Sequence, residues 1–165
     1  MRILVISDTH GDDRDIDRLL EVVKPDRIYH LGDSQNDCRY LTAVATCPVE
    51  MVRGNCDWSS DMPNNVVLNV GKHVLYLTHG HKESCRSSYS GLIKAARKVG
   101  ADYVLYGHTH QPEIEEVSGI TIINPGSLTL PRTYERRGTY CVLNVDKNGD
   151  IEPVIRYVDM LPSYK

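Results

Sequence analysis

No apolar stretch in this sequence approaches the roughly 18 residues that a membrane-spanning helix needs, which excludes such a helix. The four aliphatic residues that follow Met1 and Arg2 are too few for a secretory signal. The five cysteines, Cys38, Cys47, Cys56, Cys85 and Cys141, are scattered and form no Cys-x-x-Cys pair. That speaks against a disulfide framework and predicts reduced thiols in a cytoplasmic protein. Positive charge is not in excess: Lys and Arg total 19 against 22 Asp and Glu, a formal net charge of −3. A general nucleic-acid or membrane-surface binder would need the opposite balance. Phenylalanine is absent while tyrosine occurs ten times, a bias that excludes no function. Repeats and low-complexity segments are missing too. The chain therefore reads as one domain over residues 1–165, long enough for a proper core.

What is present is a series of short apolar segments, most of them ending in a polar tip. Ile3-Leu4-Val5-Ile6 predicts a strand buried on both faces, and it stops at Ser7-Asp8-Thr9-His10-Gly11. Ile16, Leu19, Leu20 and Val23 recur at helical spacing, with Asp12 or Asp13 as cap and Lys24-Pro25-Asp26 as stop. Residues 27–31 form a second strand tipped by Gly32-Asp33. A weaker helix is expected over 34–45, with Leu41 and Val44 as its apolar pair. Residues 49–52 are a third strand, ending at Arg53-Gly54-Asn55-Cys56-Asp57.

Residues 58–65 have loop composition, and Gly71-Lys72 joins 66–70 to 73–78 as a hairpin tipped by His79-Gly80-His81. Leu92, Ile93, Ala96 and Val99 mark a helix stopped by Gly100, and strand 102–106 is tipped by Gly107-His108-Thr109-His110. Strands 114–117 and 120–123 flank Ser118-Gly119 and lead to Asn124-Pro125-Gly126-Ser127. A last hairpin joins 138–145 to 151–158 through Asn148-Gly149. Strand–helix alternation followed by an excess of strands predicts an α/β fold, a two-sheet β-sandwich flanked by helices.

The tips carry the chemistry. Residues i and i+2 of extended chain point the same way, so Asp8 and His10 can reach one point in space. In an α/β layer the ends of successive strands meet along one edge, where ligands bind. Asp8, His10, Asp33, Asn55, His79, His108 and His110 then supply two carboxylates, one amide oxygen and four imidazoles. No thiolate is expected among these ligands. They are too many for a single four-coordinate ion, whereas two divalent ions bridged by one carboxylate account for them. Such pairs sit about 3.5–4 Å apart and clamp both oxygens of a phosphoryl displacement.

Asp8-Thr9-His10, Gly32-Asp33, Gly54-Asn55-Cys56-Asp57, His79-Gly80-His81 and Gly107-His108-Thr109-His110 stand in the order seen in calcineurin-like metallophosphoesterases. The sequence most resembles the small YfcE-like phosphodiesterase branch. Asn124-Pro125-Gly126-Ser127 followed by Pro131-Arg132 resembles that branch as well. The resemblance implies the four-layer metallophosphoesterase fold. It implies one metal ion held by Asp8, His10 and His110, another by Asn55, His79 and His108, and Asp33 as the bridge. It further implies a metal-bridging hydroxide attacking phosphorus in line while both ions stabilise the phosphoryl oxygens. Two divalent ions would add about +4 to this slightly acidic chain where an anionic substrate must sit.

One position departs from much of that family. Many members carry His directly after the Asn, where it can protonate the leaving oxygen; here Cys56 takes that place. A thiol of pKa near ~8.5 is a less usual general acid than His. The expected range of leaving groups is therefore narrow, favouring good ones such as nitrophenolate. Asn55, Cys56 and His81 are the candidate catalytic residues, His81 as substitute acid or phosphate contact. Asn55, His81 and Arg132 are the candidate substrate contacts, whereas Arg14, Arg39, Lys82 and Arg86 read as solvated surface charges.

Other residues have plainer readings. His30 lies within an apolar strand and reads as a satisfied core histidine, and His73 as a surface residue. Trp58 could wall a pocket or pack into the core. Cys47 and Arg53 match the Cys-x₅-Arg spacing of tyrosine phosphatases, but Pro-Val-Glu-Met-Val between them reads as a strand that cannot cradle an anion.

The expectation is a metal-dependent phosphodiesterase acting on a small phosphodiester. Its two ions would be Mn, Ni, Zn or Fe, with Mn favoured. A first rival is a catalytically weak protein-binding scaffold, like the retromer coat subunit that resembles these enzymes. That scaffold departs at the bridging Asp and the Asn positions, whereas Asp33 and Asn55 are intact. A second rival is a phosphomonoesterase of the same fold. Exposed strands of the C-terminal hairpin leave room for a homo-oligomer.

Overall fold

Four consecutive aliphatic residues need two apolar surfaces, and β1 (Arg2–Ile6) finds both. Ile3 and Val5 face a second sheet, while Leu4 and Ile6 face helices. The computed structural model describes residues 1–35, 37–58 and 60–162. After β1 come α1 (Ile16–Val23), β2 (Arg27–His30), α2 (Asp37–Val44), β3 (Val49–Met51), β4 (Asn65–Val70) and β5 (His73–Thr78). Then follow α3 (Ser90–Val99), β6 (Tyr103–Leu105), β7 (Pro112–Val117), β8 (Ile120–Pro125), β9 (Thr139–Val145) and β10 (Ile151–Tyr157).

Two five-stranded sheets result, in the orders β10-β9-β1-β2-β3 and β4-β5-β6-β8-β7. Between them lies the inner core: Ile3, Val5, Tyr29 and Leu31 from one sheet meet Leu75, Leu77, Leu105 and Ile123 from the other. The outer face of the first sheet is covered by α1 and α2 through Ile16, Leu19 and Leu41. Leu92 and Ala96 of α3 cover the second sheet over Tyr76, Val104 and Ile122. The order is helix, sheet, sheet, helix, the four-layer sandwich expected. Each fully buried Leu or Ile stabilises it by about 1.5–3 kcal/mol.

Within each sheet three adjacent strands are parallel: β1, β2 and the edge strand β3 in the first, and β5, β6 and β8 in the second. Their C-terminal ends therefore lie side by side, and this is what gathers the polar tips. β10 forms one edge of the first sheet, and Pro153 within it withholds one N–H from any further strand.

Several local expectations need correction. Asp15, not Asp12 or Asp13, stands at the N-cap of α1, and it makes no capping bond. Its carboxylate pairs instead with Arg18 Nη1 at 2.7 Å, one turn along, and Asp12 pairs with Arg14. His73 is half-buried, with Nδ1 against Asp102 Oδ2 and its ring edge-on to Tyr103, so it is not a free surface residue. Trp58 is 83% exposed and packs into no core. His30 is buried and satisfied, with Nε2 2.9 Å from Thr9 Oγ1 and Nδ1 accepting the Gly32 N–H. Cys47 precedes strand β3, and the residues before Arg53 are strand, not anion loop.

Candidate metal centre

Asp8 reaches the site because the chain leaves β1 in an unusual conformation. Asp8, His10, Asp33, His108 and His110 all have positive φ, between 49° and 69°. They are half of the ten non-glycine residues with positive φ among those described. Side chains with a Cβ avoid this region, and such strain persists only where the surroundings over-determine it. Here the surroundings are backbone bonds between the tips. Asp8 N donates to Gly32 O at 3.0 Å, His10 N to Asp33 O at 2.9 Å, and Gly107 N to His79 O at 3.2 Å. Gly107 must be glycine because it also lies against the β1 tip: a Cβ would collide with Ser7 Oγ and lie 2.8 Å from Asp8 Oδ2.

The side chains then converge. Asp8 Oδ1 lies 3.1 Å from His110 Nε2 and 4.0 Å from both His10 Nε2 and His79 Nε2. Asp33 Oδ2 lies 3.5 Å from His79 Nε2 and 3.9 Å from His10 Nε2. His79 Nε2 is 3.2 Å from Asn55 Oδ1 and 3.2 Å from His108 Nδ1. All seven expected ligands are thus brought into one cluster. His81 stands beside it, half-buried, with its ring centroid 5.3 Å from that of His79 and its Nδ1 without a hydrogen-bond partner among the described residues. Arg132 lies at the rim: its side chain is exposed, but its N–H donates to His110 O at 3.2 Å.

The donor atoms fit divalent metal ions. Asp8 Oδ2 accepts bonds from Ser7 Oγ and His108 N, yet its Oδ1 is buried with no hydrogen-bond donor among the described residues. A buried carboxylate oxygen left in that state is costly unless a cation completes it. His79 Nδ1 is 2.7 Å from Leu31 O and His110 Nδ1 is 2.6 Å from Leu130 O. With their hydrogens held there, both imidazoles turn Nε2 toward the carboxylates, as metal-ligating histidines do. Asp8, His10 and His110 form one group with donor atoms within 4.8 Å of one another, and Asp8, Asp33 and His79 form another. A third group, His10, Asp33 and Cys56, brings a thiol into reach of the site, where none was expected.

The electrostatics are those of a site built for positive charge. Burial works to raise Asp33, but the His79 bond and charge and the Cys56 N–H outweigh it, so its carboxyl is held well below the usual range. Burial works to raise Asp8 as well, but the facing His110 and His79 imidazoles outweigh it, so its carboxyl too is lowered. His79 is raised: burial opposes this, but the carboxylates of Asp33 and Asp8 win. Burial pulls His108 down to about 4, helped by His79 and Arg86. Burial and then the Asp33 carboxylate push the Cys56 thiol up to about 11.

Several residues that hold the cluster were not singled out by the sequence. Asp57 is buried and accepts from Asp33 N at 2.9 Å, Gly54 N at 2.8 Å and Gln35 N at 2.6 Å. Asn124 Nδ2 donates to Gly107 O and Thr109 Oγ1, both at 3.0 Å, and Ser127 Oγ donates to Asp8 O at 2.8 Å. All three lie in quoted motifs, and that was their only signal.

The family model of the calcineurin-like phosphoesterase superfamily domain matches residues 1–148. The chain belongs to this superfamily. The probable metallophosphoesterase YsnB of Bacillus subtilis is 30% identical over 161 residues, covering 96% of this chain and 91% of its own. A crystal structure of a predicted phosphoesterase from Streptococcus pneumoniae superposes with a TM-score of 0.81 at 28% identity, over 96% of this chain and 90% of that one. Vps29 of Chaetomium thermophilum shares the fold, with a TM-score of 0.75 at 20% identity over 95% of each chain. Calcineurin-like membership accounts for the layer order and for the Asp and His clusters that could bind metal.

Proposed function

We propose that this calcineurin-like protein is a metal-dependent phosphodiesterase whose dinuclear centre is held by Asp8, His10, Asp33, Asn55, His79, His108 and His110. The observation that carries the reading is the buried Asp8 Oδ1, which meets no hydrogen-bond donor among the described residues while the Nε2 atoms of three imidazoles, His110, His10 and His79, lie within 4.0 Å and Asp33 stands in the same cluster. Two divalent cations bound there, Mn favoured among Mn, Ni, Zn and Fe, would offset the charge that builds on the phosphoryl oxygens during displacement.

The chain's own groups do the rest. Leu31 O and Leu130 O fix the tautomers of His79 and His110, so neither ring must reorient when metal arrives. Asn55 stands at the exposed mouth, its Oδ1 toward His79 and its Nδ2 toward Cys56 Sγ at 3.3 Å. Its amide can face the cluster and a phosphoryl oxygen together. Cys56 or His81 would hand a proton to the leaving oxygen. A thiol is a weaker donor than an imidazolium, which supports diesters with good leaving groups over poor ones.

The fold shared with Vps29 raises the scaffold reading, in which the cluster has no catalytic use. Candidate ligand groups drawn from Asp8, His10, Asp33, His79 and His110, with the tautomers of His79 and His110 held by carbonyls, support the enzyme reading. The test is hydrolysis of bis-p-nitrophenyl phosphate against p-nitrophenyl phosphate, using protein stripped of metal and reloaded with Mn, Ni, Zn or Mg. Metal-dependent turnover of the diester, lost in Asp33→Ala, is the expected result. Preference for the monoester would make the protein a phosphomonoesterase. Tight metal binding without turnover of either would leave the scaffold.

A further inference from the structure

The segment after the Asn124–Ser127 turn is bound to the metal cluster by its backbone, not merely near it. Leu130 O receives His110 Nδ1, Arg132 N donates to His110 O, and Thr129 Oγ1 donates to Thr9 O at 2.9 Å. These contacts hold residues 129–132 beside His110. The segment carries Arg132 and, four residues on, Arg136, and both line one open groove that runs up to His110.

The two guanidinium groups differ from the third arginine on the same loop. Arg137 is consumed by structure: it forms a paired bond to both Asp159 carboxylate oxygens at 2.8 Å, meets Glu135, and stacks 3.7 Å above the Tyr157 ring. Glu135, the one carboxylate within the loop, is thus directed toward Arg137. The side chains of Arg132 and Arg136 have no hydrogen-bond or ion-pair partner among the described residues. Arg136 is also held with φ at 49°, an uncommon conformation for a side chain that does nothing.

We infer that Arg132 and Arg136 form an anion subsite next to the metal cluster, which receives a second phosphate group of the substrate. The inference rests on the phosphodiesterase reading of the cluster and narrows it: the substrate is a phosphodiester that carries a further, terminal phosphate. Two forked donors on one wall match the oxygens of a phosphate monoester, which Arg binds in paired hydrogen bonds. A diester lacking that group leaves both arginines to solvent.

The probes are two dinucleotides that differ only in a terminal phosphate, dTdT and 5′-phosphorylated dTdT. Calorimetric titration of metal-free protein reads the subsite without turnover. The phosphorylated dinucleotide is expected to bind about tenfold or more tightly than dTdT, as one well-formed charged contact would give. In the R132Q/R136Q variant the ratio is expected to fall to about one. With reloaded enzyme the same preference should appear in KM more than in kcat. Equal binding of the two by the parent protein, or a ratio that survives in the variant, overturns the subsite. If no diester is turned over with any metal, the phosphodiesterase reading fails, and the binding ratio still decides the subsite.

Discussion

The carboxylate of Asp57 holds the backbone of Asp33: its Oδ2 accepts the Asp33 N–H at 2.9 Å while also accepting Gly54 N–H at 2.8 Å. One buried side chain thereby ties the tip of β2 to the tip of β3, and so sets Asp33 against Asn55. Asp57→Ala would leave three backbone N–H groups without their acceptor. A loss of about 3 kcal/mol or more of stability is expected, since each buried unmet donor costs about 1–3 kcal/mol. Asp57→Asn keeps an acceptor and should lose less stability, yet bind metal about tenfold more weakly through the displaced Asp33. Urea unfolding and metal titration of both variants check this.

Metal should stabilise the protein by completing Asp8 Oδ1. At a metal concentration about 100 times the dissociation constant the gain is about 2.7 kcal/mol. For a chain of this size that is a Tm rise of about 5–10 °C, abolished by chelator. In Asp8→Asn the rise should largely disappear, because the neutral amide neither attracts nor balances the cation. Differential scanning calorimetry with and without Mn measures both.

Gly107→Ala and Gly119→Ala separate close approach from backbone preference. A Cβ on Gly107 collides with Ser7 Oγ and crowds Asp8 Oδ2, so this variant should lose about 1–3 kcal/mol and bind metal poorly. Gly119 has φ at +77° but open space around it, so its substitution should cost about 1 kcal/mol and leave metal binding unchanged. Parallel unfolding and metal-binding curves distinguish the two effects.

His30 should make the metal-free protein acid-sensitive. Burial holds its imidazole down at about 4, below the ordinary 6.5. The folded state therefore refuses a proton that the unfolded chain accepts. The stability contributed by neutral His30 is complete above pH 6.5 and is lost as pH falls through about 4. Between these values the loss approaches about 1.4 kcal/mol per pH unit. His30→Gln cannot titrate and should show a shallower decline. Urea midpoints at pH 7, 6, 5 and 4.5 for both proteins provide the comparison.

Much of the fold was legible because its signals are local. The burial of Ile3, Leu4, Val5 and Ile6 on both faces of β1 follows from four aliphatic residues in a row, and the stops at Lys24 and Gly100 follow from backbone chemistry. The convergence of Asp8, Asp33, His79 and His108 was legible too, since each ends a strand and parallel strands end together. The cap of α1 was misread because Asp12, Asp13 and Asp15 are all suitable, and the choice fell to ion pairs with Arg14 and Arg18. Trp58 was ambiguous because an aromatic residue in a polar loop carries no sign of where it points.

The sequence by itself determined the layers and the residue types at the site: apolar periodicity chooses which faces are buried, and the five motifs carry the carboxylates and imidazoles. Only the tertiary structure decided how those groups meet. The positive φ of Asp8, His10, Asp33, His108 and His110 is imposed by bonds between tips that are far apart in the chain. The tautomers of His79 and His110 depend on carbonyls of Leu31 and Leu130, and the place of Asp33 on a side chain 24 residues away. Such contacts join groups that every residue possesses, a backbone N–H or C=O, to one side chain, so they leave no pattern in the order of the amino acids.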